Sequence, residues 1–228
     1  VADELELIPS FAVSLSGCNL RCDFCITGQP SWNPAAGSPV HPRETARLAR
    51  LAVQRGARTI MILGGEPTLH IVTLLELVAE LPDDVPLVLK TNAMFTEQAR
   101  PLLAGLFDVW LPDLKFGNAD CARRLAAIPP SAQAWATVTD NLIWMATHHP
   151  AATLIVRHLL MPGHVACCWQ PIAHWLAHTL PGTQVSLRSG FWPAWHAHRH
   201  PELRTPLSHT ELAQATRLAH DLHLPLVP

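Results

Sequence analysis

Short apolar runs alternate with helical stretches along most of this chain, and that alternation restricts the fold more than any other feature. The apolar runs fall at residues 11–16, 58–63, 86–90, 108–111, 153–160 and 184–187, lengths that suit buried strands. Between them, residues 44–55 place Leu48, Leu51 and Ala52 on one helical face and stop at Gly56, a residue suited to a helix end. Residues 69–81 are apolar on most sides, as in a helix packed deeply on a sheet. Thr96 is placed to cap a helix running to about Ala104, residues 141–148 form another, and Ser208-His209-Thr210-Glu211 is a capping box opening a last helix to about Leu222. Repeated β-α units imply a parallel sheet. Six units are too few for a closed eight-stranded barrel of ~250 residues, so the expected α/β architecture is a partial (β/α)6 TIM-like barrel, open on one side.

At 228 residues the chain is long enough for a sizeable core, and a single domain over residues 1–228 is expected. A formal charge of −2 supplies no basic footprint, so nucleic acid is not an expected partner. No window approaches the ~18 uninterrupted apolar residues of a membrane span, and no membrane partner is expected. The start, Val1-Ala2-Asp3-Glu4, has neither the basic nor the apolar region of a signal peptide. It also lacks Met, so a trimmed N-terminus is expected. Tyr is absent while Trp (8) and His (14) are plentiful, a drift that carries no functional weight by itself.

Cys18-x3-Cys22-x2-Cys25 follows the first apolar run. A structural zinc site needs four ligands, usually as two separated pairs, and only Cys22-x2-Cys25 has pair spacing. A bacterial ferredoxin would add a fourth cysteine and a proline shortly afterwards, and none follows in this stretch. A disulfide framework is not expected in a chain of this size. Three closely spaced thiolates suit a [4Fe–4S] cluster held by three irons, with the fourth iron open to a small molecule.

A second motif, Gly64-Gly65-Glu66-Pro67, closes the apolar run ending at Leu63. With the cysteines and the aromatic Phe24 before Cys25, it resembles the radical S-adenosylmethionine (SAM) superfamily. Lys90-Thr91-Asn92, Asp113-Leu114-Lys115-Phe116 and residues 156–163 resemble the branch related to pyruvate formate-lyase activating enzyme. The resemblance runs from about Ser10 to about Leu187 and implies the same open barrel. It implies Cys18, Cys22 and Cys25 as ligands of a [4Fe–4S] cluster, within a cluster loop spanning 17–40. It also implies SAM as the molecule chelating the open iron, and reductive cleavage of SAM to a 5′-deoxyadenosyl radical that abstracts hydrogen. The implied partners are an electron donor such as a flavodoxin or ferredoxin and, for an activase, a glycyl radical enzyme as protein substrate. Free thiols and an oxygen-sensitive cluster fit a reducing cytoplasm.

Each motif falls at the C-terminal end of an expected strand, where chemistry collects in such folds. Gly64 and Gly65 are expected to let the backbone approach SAM closely, and Glu66 to offer a carboxylate beside a cation. Asn92, Asp113 and Lys115 stand where the resemblance places contacts to SAM or a bound cation. Lys90 departs from the pattern, since the activating enzymes carry an acidic residue there. A lysine repels a monovalent cation, and Lys90 is a candidate counter-charge for the SAM carboxylate. Arg157 lies in an apolar strand and needs an anionic partner, either SAM or a protein carboxylate. His158 faces the other way and reads as structural.

The rim segment and last helix occupy residues 188–228. Within them, residues 188–200 are rich in Trp and His and suit a substrate pocket. His196, His198 and His200 alternate, but solvated histidines are the simpler reading. Cys121, Cys167 and Cys168 remain: adjacent Cys167-Cys168 is not a Cys-x2-Cys chelate, and nothing nearby in the sequence completes a cluster. The functions in play are an activase making a glycyl radical, a radical SAM enzyme acting on a small molecule or peptide, and a non-catalytic electron carrier or sensor. The carrier is disfavoured because it gains nothing from an open iron.

Overall fold

The computed structural model describes residues 4–149 and 151–228; the expectation of a trimmed start concerns residues outside that range. A 3-10 turn, Glu4–Leu7, precedes β1 (Ser10–Leu15). The chain continues through α1 (Gln29–Trp32), α2 (Pro42–Gln54), β2 (Thr59–Gly64), α3 (Ile71–Glu80), β3 (Leu87–Thr91) and α4 (Arg100–Leu103). Then come β4 (Val109–Pro112), α5 (Ala119–Ala126), α6 (Ala134–His148), β5 (Thr153–Leu159), α7 (Gln170–Thr179), β6 (Gln184–Arg188), α8 (His209–Asp221) and β7 (Leu226–Val227). The strands form one parallel sheet in the order β1-β2-β3-β4-β5-β6-β7. This is the expected open barrel-like α/β sheet, extended by a seventh strand. β7 is two residues long and pairs Leu226 with Val185, too short to leave a period in the sequence.

Strand alternation sorts the core into two faces. Leu87, Leu89, Trp110, Val156 and Val185 face outward and pack with Leu74, Leu77, Leu142, Ile172 and Ala215 of the helices. Val88, Val109, Leu111 and Ile155 face inward and pack around Leu7, which the N-terminal turn inserts into the barrel. Two residues further along the same inward rows stand Lys90, Asp113 and Arg157. Apolar packing fills the lower interior and charge occupies the upper end.

Several helical segments differ from the sequence pattern: α1 forms within the expected loop, Thr96 makes no side-chain cap before α4, and four others have a local reason. α3 begins two residues late because Pro67–His70 forms a 3-10 turn first. α6 begins seven residues early, at Ala134, because Trp135 and Val138 pack on the core and continue the apolar face of Leu142 and Met145. α5 is eight residues with a polar face, and α7 follows a π-helical turn, Val165–Trp169, with Pro171 in its first turn. α5 opens on the capping residue Asn118 but spans only about two turns, and the π turn displaces the start of α7. The capping box of α8 is formed: Glu211 N–H donates to Ser208 Oγ at 3.2 Å, and Ser208 N–H to Glu211 Oε2 at 3.1 Å.

His158 is buried on the outward face, with Nδ1 2.8 Å from the Leu114 carbonyl and its ring stacked on Trp169. Burial pulls it down to about 4 from 6.5. Between those values the unfolded chain takes a proton that the fold refuses. Stability present above pH 6.5 is therefore lost as pH falls toward 4. His158→Gln should remove roughly 2 kcal/mol of the stability difference between pH 7 and pH 5 in urea unfolding; an unchanged difference would refute the assignment. Leu7 is 1% exposed, and Leu7→Ala should cost about 2–5 kcal/mol. A loss below 1 kcal/mol would show that the interior does not pack on it.

Candidate functional site: a cysteine-lined cleft at the strand ends

The cysteine loop leaves β1 and is at once clamped by the end of β2. Gly65 N–H donates to the Leu15 carbonyl and Glu66 N–H to the Gly17 carbonyl, both at 2.8 Å. A Cβ on Gly64 would lie 2.1 Å from the Leu15 oxygen, and one on Gly65 1.8 Å from the Gly17 oxygen. Gly64 also has φ +134°, the region open to glycine. The close approach anticipated for a ligand is thus made in the first place by the chain's own backbone. Both glycines still line the cleft.

Glu66, expected to offer a carboxylate beside a cation, is buried by the fold. It is 0% exposed and does not line the cleft. Its Oε1 accepts from Thr68 N–H (3.1 Å), Thr68 Oγ1 (2.8 Å) and Thr91 Oγ1 (2.7 Å), and its Oε2 from Asn92 N–H (2.7 Å). Burial raises its carboxyl above the ordinary value while these donors pull the other way. The side chain joins the ends of β2 and β3 and is not offered to a ligand. Asn92 carries the join onward: its Nδ2 donates to Asn19 Oδ1 at 2.7 Å and faces Cys18 Sγ at 3.6 Å.

The rest of the loop is seated on α5 and on the rim. Arg21 N–H donates to the Ala126 carbonyl (3.0 Å) and Asp23 N–H to that of Leu125 (2.9 Å). Phe24 packs against Phe116 and Phe191. The Trp- and His-rich segment folds over the loop: His200 Nε2 lies 2.8 Å from Asp23 Oδ2, Trp195 packs on Trp32, and a Cβ on Gly28 would meet the Trp195 ring at 2.9 Å. Of that segment's tryptophans only Trp192 lines the cleft. Trp195 and His196 pack on the loop and do not line the cleft.

The cleft, about 390 Å³, is lined by Cys18, Cys22, Cys25, Gly64, Gly65, Lys90, Asn92, Asp113, Lys115 and Arg157 among others. All the expected site residues except Glu66 therefore meet there. Burial pushes the Cys22 thiol up to about 12 and raises that of Cys18, with Lys115 opposing both. Asp113 accepts from Lys115 Nζ at 2.7 Å and from Arg157 at 3.2 Å. Burial works against the ionised form, but Lys115, Arg157 and Lys90 hold its carboxyl well below the usual range. Arg157 Nε also donates to Glu4 Oε1 at 2.7 Å, so its anionic partners are protein carboxylates. Glu4, which lies before the first strand, had no sequence signal for this role. The Lys90 ammonium makes no hydrogen bond or ion pair with a described residue, and burial lowers its pKa although Asp113 opposes this.

Away from the cleft, Cys167 and Cys168 belong to a four-donor group that the sequence reading did not assemble. Their sulfurs lie within 4.8 Å of those of Cys121 and of a His164 ring nitrogen. Sequence separation hid this, because Cys121 comes from a different helix.

Gly65→Ala should disrupt the loop clamp. Iron retained after anaerobic reconstitution should fall below about half of wild type while far-UV circular dichroism is kept; full iron retention would refute the clamp. Glu66→Gln turns one acceptor into a donor facing Asn92 N–H and should cost about 1–3 kcal/mol in unfolding free energy.

The chain was compared with known proteins. It is 27% identical to the uncharacterized protein MJ0674 of Methanocaldococcus jannaschii over all of this chain and 67% of that one. It is 33% identical to the 7-carboxy-7-deazaguanine synthase of Methanothermobacter thermautotrophicus, covering 46% of this chain and 41% of the synthase. In fold it resembles a domain of pyruvate-formate lyase-activating enzyme from Bacteroides vulgatus, with a TM-score of 0.57 at 18% identity, covering 74% of this chain and 97% of that domain. The model of the Radical SAM superfamily matches residues 13–176, which span both the cysteine loop and the glycine clamp; the chain belongs to the radical SAM superfamily.

Proposed function

We propose that this chain binds one [4Fe–4S] cluster through Cys18, Cys22 and Cys25 and cleaves SAM reductively in the cleft they line. The observation that carries the reading is the convergence, in one cleft at the strand ends, of the three cysteines with a Lys90 ammonium that makes no ion pair among the described residues. The fit is chemical. Cys18 and Cys25 are partly exposed, and Cys18 Sγ already accepts the Leu20 N–H at 3.3 Å, a contact that favours a thiolate. When bound, the reduced cluster supplies the electron that splits the sulfonium C–S bond of SAM, giving methionine and a 5′-deoxyadenosyl radical that takes hydrogen from the substrate.

The chain's residues divide the remaining work. Lys90 provides a positive charge for the methionine carboxylate, in the role expected where related activating enzymes carry an acid. Arg157 and Lys115 position Asp113, which with Asn92 forms the polar wall. Gly64 and Gly65 supply backbone at the cleft surface. An electron donor such as a flavodoxin or ferredoxin completes the cycle in a reducing compartment.

The substrate reading we favour is a glycyl residue of a partner protein, as for an activase. Ile26 and Trp192 line the cleft and are 83% and 67% exposed, apolar side chains placed to meet a macromolecule at its mouth. The similarity in fold to the activating-enzyme domain agrees with this. A second reading, a small-molecule substrate, draws on the likeness to the deazaguanine synthase. It also draws on an adjoining apolar cavity of about 270 Å³ that reaches Phe116, Ile128 and Trp135 and shares Asp113 and Lys115 with the cleft.

Reconstituted protein should bind close to one cubane and convert SAM with dithionite into 5′-deoxyadenosine. An intact cluster without deoxyadenosine would end the enzyme reading. Cys22→Ala should abolish cleavage. Lys90→Ala should weaken SAM binding about tenfold or more, and unchanged affinity would remove Lys90 from the site. A stable glycyl-radical resonance on mixing with a glycyl radical enzyme supports the activase reading; its absence with every such enzyme encoded beside this chain favours the second.

A further inference from the structure

We infer that Cys121, His164, Cys167 and Cys168 form a closed, four-coordinate zinc site outside the cleft. The donor atoms all lie within 4.8 Å of one another. His164 Nδ1 is 3.5 Å from Cys121 Sγ, 3.2 Å from Cys167 Sγ and 3.7 Å from Cys168 Sγ. Cys121 and Cys167 sulfurs are 3.7 Å apart, and those of Cys167 and Cys168 4.0 Å. A tetrahedral zinc with ordinary Zn–S and Zn–N bonds has edges of ~3.8 Å between sulfurs and ~3.6 Å between sulfur and nitrogen. The donors therefore stand close to the corners of a zinc tetrahedron. They are too close for a cubane, whose cysteines each bind a different iron. They are also not a disulfide, since all three cysteines are free and a bridge would bring two sulfurs to ~2.05 Å.

The local structure is arranged to gather them. His164, Cys167 and Cys168 are related as i, i+3 and i+4, so the helical turn Val165–Trp169 turns all three to one side. Its π geometry is a form often found at functional sites. Cys121 is brought opposite by the first turn of α5, where Asn118 Oδ1 caps the Cys121 N–H at 2.8 Å. Gly117 allows the segments to close up, because a Cβ there would lie 2.4 Å from the Cys168 carbonyl oxygen.

The surrounding groups are those a thiolate–imidazole centre needs. Asn118 Nδ2 lies 3.2 Å from Cys121 Sγ and donates to the Cys167 carbonyl at 2.6 Å. His164 is 3% exposed, and its Nε2 has no hydrogen bond among the described residues. That nitrogen faces Glu202 Oε1 at 3.5 Å, and Arg124 grips the same carboxylate. With Nδ1 on the metal, Nε2 carries the proton and points it at a carboxylate. Three sulfurs and one nitrogen at tetrahedral spacing suit zinc, and four protein donors leave no position for a substrate. The site is structural. It ties α5 to the turn before α7, and the C-terminal carbonyls of α5 are those that seat Arg21 and Asp23 of the cysteine loop.

The test uses the full chain with Cys18, Cys22 and Cys25 all replaced by Ala, so that failure of the cluster reading cannot mimic failure of this one. Grown with zinc supplied, it should carry about one zinc per chain by elemental analysis, with a zinc X-ray absorption shell of three sulfurs and one nitrogen. Adding Cys168→Ser or Cys121→Ser should lower zinc to below about a fifth. If those variants do not fold, His164→Cys decides: it should keep one zinc and change the shell to four sulfurs. Folded triple variant holding no zinc, iron in its place, a shell of oxygens, or a Cys121–Cys167 disulfide by mass spectrometry would each overturn the proposal.

Discussion

The carboxylate of Glu66 is the constraint on which the upper rim of this barrel depends. It is fully buried, yet four hydrogen-bond donors from the ends of β2 and β3 converge on it. Such a group is costly without its partners and orders them when they are present. Through Asn92 it reaches Asn19 and Cys18, and through its own N–H it holds Gly17. The cysteine loop is thereby attached to the sheet by a polar network that tolerates no side chain at Gly65.

A second network organises the cleft interior. Arg157 stands between Glu4 and Asp113, and Asp113 also holds Lys115. These ions sit directly above an apolar plug formed by Leu7 with Val88, Val109, Leu111 and Ile155. The same segment before β1 thus supplies both the hydrophobic stopper and one of the counter-charges. Three of the four charged groups contributed by β3, β4 and the loop end and β5 are satisfied internally. Among the described residues Lys90 makes no hydrogen bond or ion pair, and its side chain lines the cleft.

Much of this was legible in the sequence because the informative residues are close together along it. Cys18, Cys22 and Cys25 share one loop, Gly64 to Pro67 one turn, Lys90, Asp113 and Arg157 fall at or near strand ends, and alternation set His158 opposite Arg157. The chemistry assigned to Gly64, Gly65 and Glu66 was less legible. Their residue types announced a close approach and a demand for a carboxylate, but either could have served a ligand or the chain itself. Only packing against Gly17 and Thr91 distinguishes these.

The sequence by itself determined the parallel β-α order, the family and the loop that carries the thiolates, since periodicity and motif spacing are local properties. Tertiary structure alone decided the contacts between distant segments: Glu4 on Arg157, the Trp195 rim over Gly28, and Cys121 beside His164, Cys167 and Cys168. Those last residues lie on two helical segments that the sequence reading did not delineate, α5 and the segment leading into α7. The i, i+3, i+4 spacing of His164, Cys167 and Cys168 was visible in the sequence. The fourth donor was not, because its distance is set by how α5 packs and not by the 43-position separation of Cys121 and His164.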